Sequence, residues 1–355
     1  MSMCFKKVGF LASTIVSTAL STVGVFVVFE LNHQAKAIVV PGDPNDYIVE
    51  PGTGYDGVVR LNIQTSFGGF LCSGSLLPTG QHILTAAHCL ASSIDTIDFE
   101  PFIPLGNVFT TGAKAFFELP TGEVQVKAEE LYIHPNWNGR YYDGNDLAII
   151  KLAELAPTDA ERYDIYRGSD ELGQPGIKVG IGVTGNGNTN ERVLDLKKRS
   201  GLNTYDAFGE VLNGVFPEVN FPVGSALLYD FDNGNPANDA LGIIAGIPNF
   251  GLGENEVSPS FGDSGGPTFI DGLVAGVVSD AIRSLLPSEI DDIPYNLSVG
   301  EIIFDTRVST YAGYIDDVLA GNIAPTKTVP EPNTIFGVIL ALGAFATHSR
   351  SKKAK

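Results

Sequence analysis

Apolar positions along this chain fall into short runs rather than long helical stripes. The stretches 57–63, 70–77, 82–86, 124–133 and 146–152 are rich in Val, Ile, Leu and aromatic residues, with Gly, Pro, Asn or Asp between them. Branched and aromatic side chains suit a pleated surface, and the intervening residue types make turns, so each run predicts a strand. A polar stretch, 156–169, crosses to a second set of strand-like runs at 177–183, 226–229, 240–247, 267–270 and 273–278. Only 311–319 has apolar residues at helical spacing, and it predicts a closing helix. The pattern is all-β, of the antiparallel sandwich or barrel kind, without an internal repeat.

Both ends depart from that pattern. Lys6 and Lys7 precede an apolar run over 8–29, followed by Ala35-Lys36-Ala37, which is the build of a secretory signal peptide over 1–37. The run is longer than a usual signal core, so an uncleaved membrane anchor is the competing reading. The segment 38–47, with its Pro, Gly and Asp residues, reads as an exposed linker or propeptide. Beyond Asn322 come Val329-Pro330-Glu331-Pro332, an apolar stretch over 335–346, and a basic end with Arg350, Lys352, Lys353 and Lys355. That stretch is short for a spanning helix, which needs about 20 residues, so a sorting or transiently inserted signal fits it better. Transient membrane contact is expected through both termini.

Charge and cysteine content narrow the setting. A formal charge of -19 argues against nucleic acid, because phosphate binding needs a basic face and none forms within the body of the chain. Of 3 cysteines, Cys4 would leave with the signal. Cys72 and Cys89 remain, and in an oxidising compartment they can pair and fix the backbone beside His88. A zinc site from Cys72, His82, His88 and Cys89 is the alternative, at a spacing unlike known fingers or zinc hydrolases. The stretch 230–239, Asp-Phe-Asp-Asn-Gly-Asn-Pro-Ala-Asn-Asp, offers hard oxygen ligands but lacks EF-hand spacing and its terminal Glu, so it reads as a solvated turn rather than a calcium loop. No cofactor or metal is expected.

Three fragments carry candidate chemistry. Thr85-Ala86-Ala87-His88-Cys89 supplies an imidazole, Gly144-Asn145-Asp146-Leu147-Ala148 a carboxylate, and Gly262-Asp263-Ser264-Gly265-Gly266-Pro267 an alcohol among glycines. A serine hydroxyl hardly ionises at neutral pH; a neutral imidazole can take its proton as attack proceeds, and a carboxylate behind the ring fixes the tautomer. His88, Asp146 and Ser264 therefore form a candidate triad. Backbone N–H groups of Gly262 and Ser264 are the candidate oxyanion hole.

With these fragments, Cys72-Ser73-Gly74-Ser75-Leu76 ahead of the histidine, Asn145 to Leu152, and Gly182-Val183-Thr184-Gly185, the chain resembles a trypsin or chymotrypsin-like serine protease from about 48 to 319. The resemblance implies two Greek-key β-barrels, 48–165 and 166–321, with a short C-terminal helix and the active site in the cleft between them. It implies that Cys72 and Cys89 are the bridge flanking the catalytic histidine. It also implies activation by a new Ile-Val terminus whose ammonium pairs with Asp263. Ile48-Val49 stands near the family spacing before His88, although Tyr47 precedes it where Arg or Lys is usual and Glu50-Pro51 replaces two glycines. Ile38-Val39, freed by cleavage after Ala37, is a second candidate.

Where trypsin-like enzymes place the aspartate that attracts Arg or Lys, this chain has Ser258, so no basic-residue preference is implied. The pocket wall falls on Ser279, Asp280 and Ala281, with Ser279 as the substrate-backbone contact. The tail 322–355 resembles a PEP-CTERM sorting signal, which implies an exosortase as partner and a destination at the cell surface or outside a Gram-negative bacterium. The function implied is an exported endopeptidase acting on protein or peptide substrates. A non-catalytic surface or matrix binding protein on a protease scaffold, and an esterase of short acyl substrates, are the alternatives.

Overall fold

The computed structural model describes residues 38–66, 68–94, 104–189, 192–282 and 298–329, together with 287 and 290. The signal-peptide reading of 1–37 and the motif, apolar segment and basic end over 330–355 lie outside the described residues. No helix among the described residues is long and apolar enough to cross a membrane.

The first half is built from β1 (Val58–Thr65), β2 (Gly69–Leu76), β3 (His82–Thr85), β4 (Thr110–Leu119), β5 (Gly122–Ile133) and β6 (Ala148–Leu152). They pair antiparallel in the order β5-β4-β1-β2-β3-β6, and β6 pairs back onto β5, closing a six-stranded barrel. Closure removes the unpaired edges an open sheet would expose. Along β4, Ala113, Ala115, Phe117 and Leu119 point inward and their neighbours outward, the period of two that a half-buried strand requires.

The second half contains β7 (Pro175–Gly180), β8 (Arg199–Thr204), β9 (Ala226–Asp230), β10 (Pro267–Ile270), β11 (Leu273–Ala281) and β12 (Ile302–Arg307). Their order is β8-β7-β10-β11-β12-β9, extended by Ala207–Phe208 beside β9, and among the described strands this sheet is a half-barrel. The two-barrel, mostly β architecture implied by the resemblance is thus present. A buried ion pair stands in its core. Asp305 on β12 accepts hydrogen bonds from Thr268 Oγ1 (2.5 Å), Tyr205 OH (2.5 Å) and Tyr229 OH (2.8 Å), and Lys178 Nζ lies 3.1 Å away. Burial lowers the Lys178 ammonium to about 8, against the pull of Asp305.

Three expectations need correction. The run 240–247 is not a strand. Its core is a helix, α1 (Ala240–Ala245), because Asp239 accepts the Gly242 N–H as N-cap and Gly246 ends it in the left-handed region at φ 71°. The segment 38–47 is not wholly exposed: Ile38, Val39 and Val40 are buried, and Val39 exchanges backbone hydrogen bonds with Ser258 while pairing with Gly185. The body also continues past the closing helix α2 (Ala312–Leu319), since Lys327–Thr328 adds to the free side of β5. In α2 itself, Ile315 and Val318 face the core, as the helical spacing predicts.

Candidate active site

Strand β3 ends in the turn Ala87–Cys89, which carries His88 to the rim of the closed barrel. Asp146 reaches it from the turn before β6, where Gly144 (φ 69°) and Asn145 (φ 64°) both take left-handed backbone. The contact is double: Asp146 Oδ1 accepts the His88 backbone N–H at 2.9 Å, and Oδ2 stands 2.7 Å from Nδ1. Two bonds from one carboxylate fix both the turn and the ring, and leave Nε2 as the nitrogen facing away from Asp146. The ring packs edge-on against Tyr141 at 5.3 Å.

Asp146 is buried and would be costly to ionise there. Burial pushes its carboxyl up, but the His88 charge and the hydrogen bonds from His88 and Ser279 outweigh this and hold it below its ordinary value. The resemblance implies Ser279 as a pocket-wall residue and substrate-backbone contact. Its hydroxyl in fact donates to Asp146 Oδ2 at 2.6 Å, from β11 of the other half. Thr306 Oγ1 donates to the Asp146 carbonyl at 2.9 Å. Nothing in the linear pattern distinguishes a serine facing substrate from one facing a carboxylate.

Ser264, half-buried, lies on the loop entering β10, and both halves grip its backbone. Its carbonyl accepts the Ser73 N–H at 2.8 Å and stands 3.6 Å from the Cys89 sulfur, next to His88; Gly265 N–H donates to Val278 O at 2.8 Å. A Cβ on Gly265 would come within 2.1 Å of Thr85 Oγ1 and 2.5 Å of Ser73 O, and its φ is 80°, so the close approach of the two halves requires glycine. The N–H groups of Asp263, Gly265 and Gly266 each donate to a backbone carbonyl, whereas among the described residues those of Gly262 and Ser264 have no such partner. Gly262 (φ 96°) is oriented by its own carbonyl, which accepts Ser73 Oγ at 2.9 Å, and by the preceding Phe261 carbonyl, which accepts the Val183 N–H at 3.1 Å.

Beside Ser264 opens a recess of about 50 Å³ whose walls include Ser260, Ser279, Asp280, Ala281 and Ile303. Ser258 is not on that wall. It is fully buried, held by its two backbone hydrogen bonds to Val39.

Asp263 points the other way, into the interior, with no exposed surface. Its oxygens accept N–H bonds from Gly182 (3.0 Å) and Ser260 (2.9 Å), and also from Ile38. Burial drives this carboxyl well above its usual range against those donors and the more distant Arg199. Ile48 is not brought to Asp263. It forms an isolated bridge with Arg199, and Val49 N–H donates to Lys198 O. Of the two Ile-Val pairs, the one at Ile38 reaches the aspartate.

Cys72 and Cys89 form a disulfide with Cα atoms 6.3 Å apart, linking β2 to the turn of His88. Both sulfurs are thereby consumed, and the zinc alternative with His82 and His88 falls. His82 is instead paired with Thr79, Nδ1 to Oγ1 at 2.8 Å.

Residues 50–204 match the family model described as Trypsin. Over 83 residues the chain is 41% identical to chymotrypsin-C of Rattus norvegicus, an alignment covering 23% of this chain and 26% of that protein. It is 26% identical over 245 residues to anionic trypsin of Canis lupus familiaris, covering 68% of this chain and 82% of that one. The chain thus spans about a quarter of the length of the chymotrypsin-C relatives, 26% for rat and for mouse, and most of the length of the trypsin. Among solved structures, HL collagenase superposes with a TM-score of 0.51 at 20% identity, over 77% of this chain and 97% of that one. That likeness shows the fold. Over parts of its length, then, the chain is similar to trypsin-like serine proteases.

Proposed function

We propose that this chain is an exported serine endopeptidase working through His88, Asp146 and Ser264. The observation that carries the reading is the pair of hydrogen bonds between buried Asp146 and His88, set beside a glycine-rich loop whose Ser264 carbonyl lies against the sulfur of Cys89, next to His88. In the reaction, His88 Nε2 takes the Ser264 proton as Oγ attacks the scissile carbonyl, and Asp146 stabilises the imidazolium that forms. The tetrahedral oxygen is received by the N–H groups of Gly262 and Ser264, which have no competing backbone acceptor among the described residues. His88 then returns the proton to the leaving amine, and water repeats the sequence on the acyl-enzyme.

The recess of about 50 Å³, walled by Ala281 and Ile303 together with Ser260, Ser279 and Asp280, supports a small side chain rather than Arg or Lys. Activation is assigned to release of Ile38: cleavage after Ala37 would turn its amide into an ammonium at Asp263, supplying a positive charge in direct contact with a buried carboxylate on which Arg199 acts through its charge alone. Removal of the signal would then also complete the site. The order of residues after 329 supports a sorting tail processed by an exosortase, with delivery to the cell surface or beyond.

A fluorophosphonate probe tests the central reading. Wild type is expected to label and Ser264→Ala to stay unlabelled; an unlabelled, well-folded wild type would favour a binding protein on this scaffold. Casein against short esters separates peptidase from esterase.

A further inference from the structure

The stretch 230–239 is an exposed turn in its middle, over 233–237, but its acidic ends are not solvated. Asp230 ends β9, Asp232 follows, and Asp239 caps α1; all three are buried. One carboxylate oxygen from each lies within 4.8 Å of the other two. Oxygens on opposite sides of one calcium ion, bonded at 2.3–2.6 Å, stand about 5 Å apart, so a single ion can touch all three.

The remaining hydrogen bonds show which oxygens are spare. Asp230 Oδ2 accepts the Leu241 N–H and Asp239 Oδ1 the Gly242 N–H, each at 2.7 Å. Asp230 Oδ1 and Asp232 Oδ1 are buried and accept no hydrogen bond from an N–H or hydroxyl among the described residues, on side chains 1% and 2% exposed, and Asp206 sets a further carboxyl against Asp230. A carboxylate oxygen sealed from water without a donor is unfavourable unless a cation or a proton meets it. Glu256 adds negative charge alongside, Oε1 accepting the Asp232 N–H at 2.7 Å and Oε2 the Leu252 N–H at 2.5 Å. The nearby cation Lys178 is already committed to Asp305.

We propose that Asp230, Asp232 and Asp239 form a calcium site. The donors are all oxygen, which selects a hard cation over zinc or copper. Magnesium usually keeps several waters and demands a near-ideal octahedron, whereas calcium accepts an irregular cage of protein oxygens. The ion would tie together two segments. Phe231 bonds across to Glu301 O and Gly300 N, which lead into β12, and Asp232 bonds to Glu256, which leads to the loop before Ser264. The site does not depend on the proposed catalysis.

The test uses the full chain as secreted, dialysed against EGTA, with its melting temperature read after adding 1 mM calcium chloride or 1 mM magnesium chloride, and calcium binding measured by titration calorimetry. Calcium is expected to raise the melting temperature by about 5 °C and magnesium by much less. Asp232→Asn and Asp239→Asn should each abolish the rise and the heat of binding; asparagine keeps the side-chain shape and can still cap α1. No rise in wild type, an equal rise with magnesium, or a rise retained in both variants would overturn the site. Should one variant fail to fold, the other decides.

Discussion

Ser279 and Asp146 stand on opposite halves of the protein, joined by a hydroxyl-to-carboxylate hydrogen bond of 2.6 Å. With the two bonds to His88, it leaves the buried carboxylate satisfied on both oxygens. Ser279→Ala should therefore lower kcat/KM on a peptide substrate by about tenfold or somewhat more, the scale of one charge-assisted hydrogen bond. Asp146→Asn should cost about 10⁴-fold in kcat, because an amide cannot hold the productive tautomer. Equal losses in the two variants would remove the positioning role of Ser279.

The Ile38 assignment makes a prediction about the mature terminus. N-terminal sequencing of the active protein should begin at Ile38, and Asp263→Asn should reduce kcat/KM by about 10²-fold by letting the Ser264 loop shift, a loss typical of a misplaced reactive centre. An active form beginning at Ile48, or at Ala37, would refute it.

The bridge between Cys72 and Cys89 closes a loop with a sequence separation of 17. Chain-entropy reasoning gives it about 3 kcal/mol. The double variant Cys72→Ala/Cys89→Ala should melt on the order of 10 °C lower, read by calorimetry. A thiol reductant should reproduce the drop in wild type and leave the variant unchanged.

His134 gives the acid side of the stability profile a specific source. It is wedged against Tyr311 and Tyr314, at 5.1 and 4.8 Å between ring centres, and burial lowers its imidazole from 6.5 to about 4. Between those pH values the unfolded chain takes up a proton that the folded one refuses, so stability is lost as pH falls through this window. Allowing for partial solvent screening, the loss is about 1–2 kcal/mol. His134→Phe should flatten that limb of the denaturant midpoint against pH; an unchanged slope would place the loss elsewhere.

The residues proposed for catalysis are legible in the sequence because each sits in a contiguous fragment, Thr85 to Cys89, Gly144 to Ala148 and Gly262 to Pro267. What is not legible depends on contacts between distant fragments. β4 is diluted by Thr111, Gly112 and the small Ala113 and Ala115, so no apolar run announces it, and its inward period of two becomes visible only against β1. β8, with Arg199, Ser200 and Asn203, is likewise polar in sequence, and Arg199 is buried because Asp195 and the Pro44 carbonyl receive its guanidinium. The run at 240–247 is too short for periodicity to separate strand from helix, and the Asp239 cap decides. Spacing to His88 points to Ile48, whereas the packing brings Ile38 to Asp263, since Val39 and Val40 beside it pair with Gly185 and Asn186 of the second half.

The last described residues act as a strap. Thr326 N–H and Val329 N–H donate to the carbonyls of Leu131 and Glu129, and Lys327 Nζ to the Thr110 carbonyl at 2.6 Å, so the chain is stitched to the first barrel just before Pro330. A tether gripping the far end would therefore load β5, and the stitches would have to peel apart before any force reached α2 or the strands of the second half. Enzymatic trimming beyond Val329 would leave the working body mechanically indifferent to whether it is held or set free.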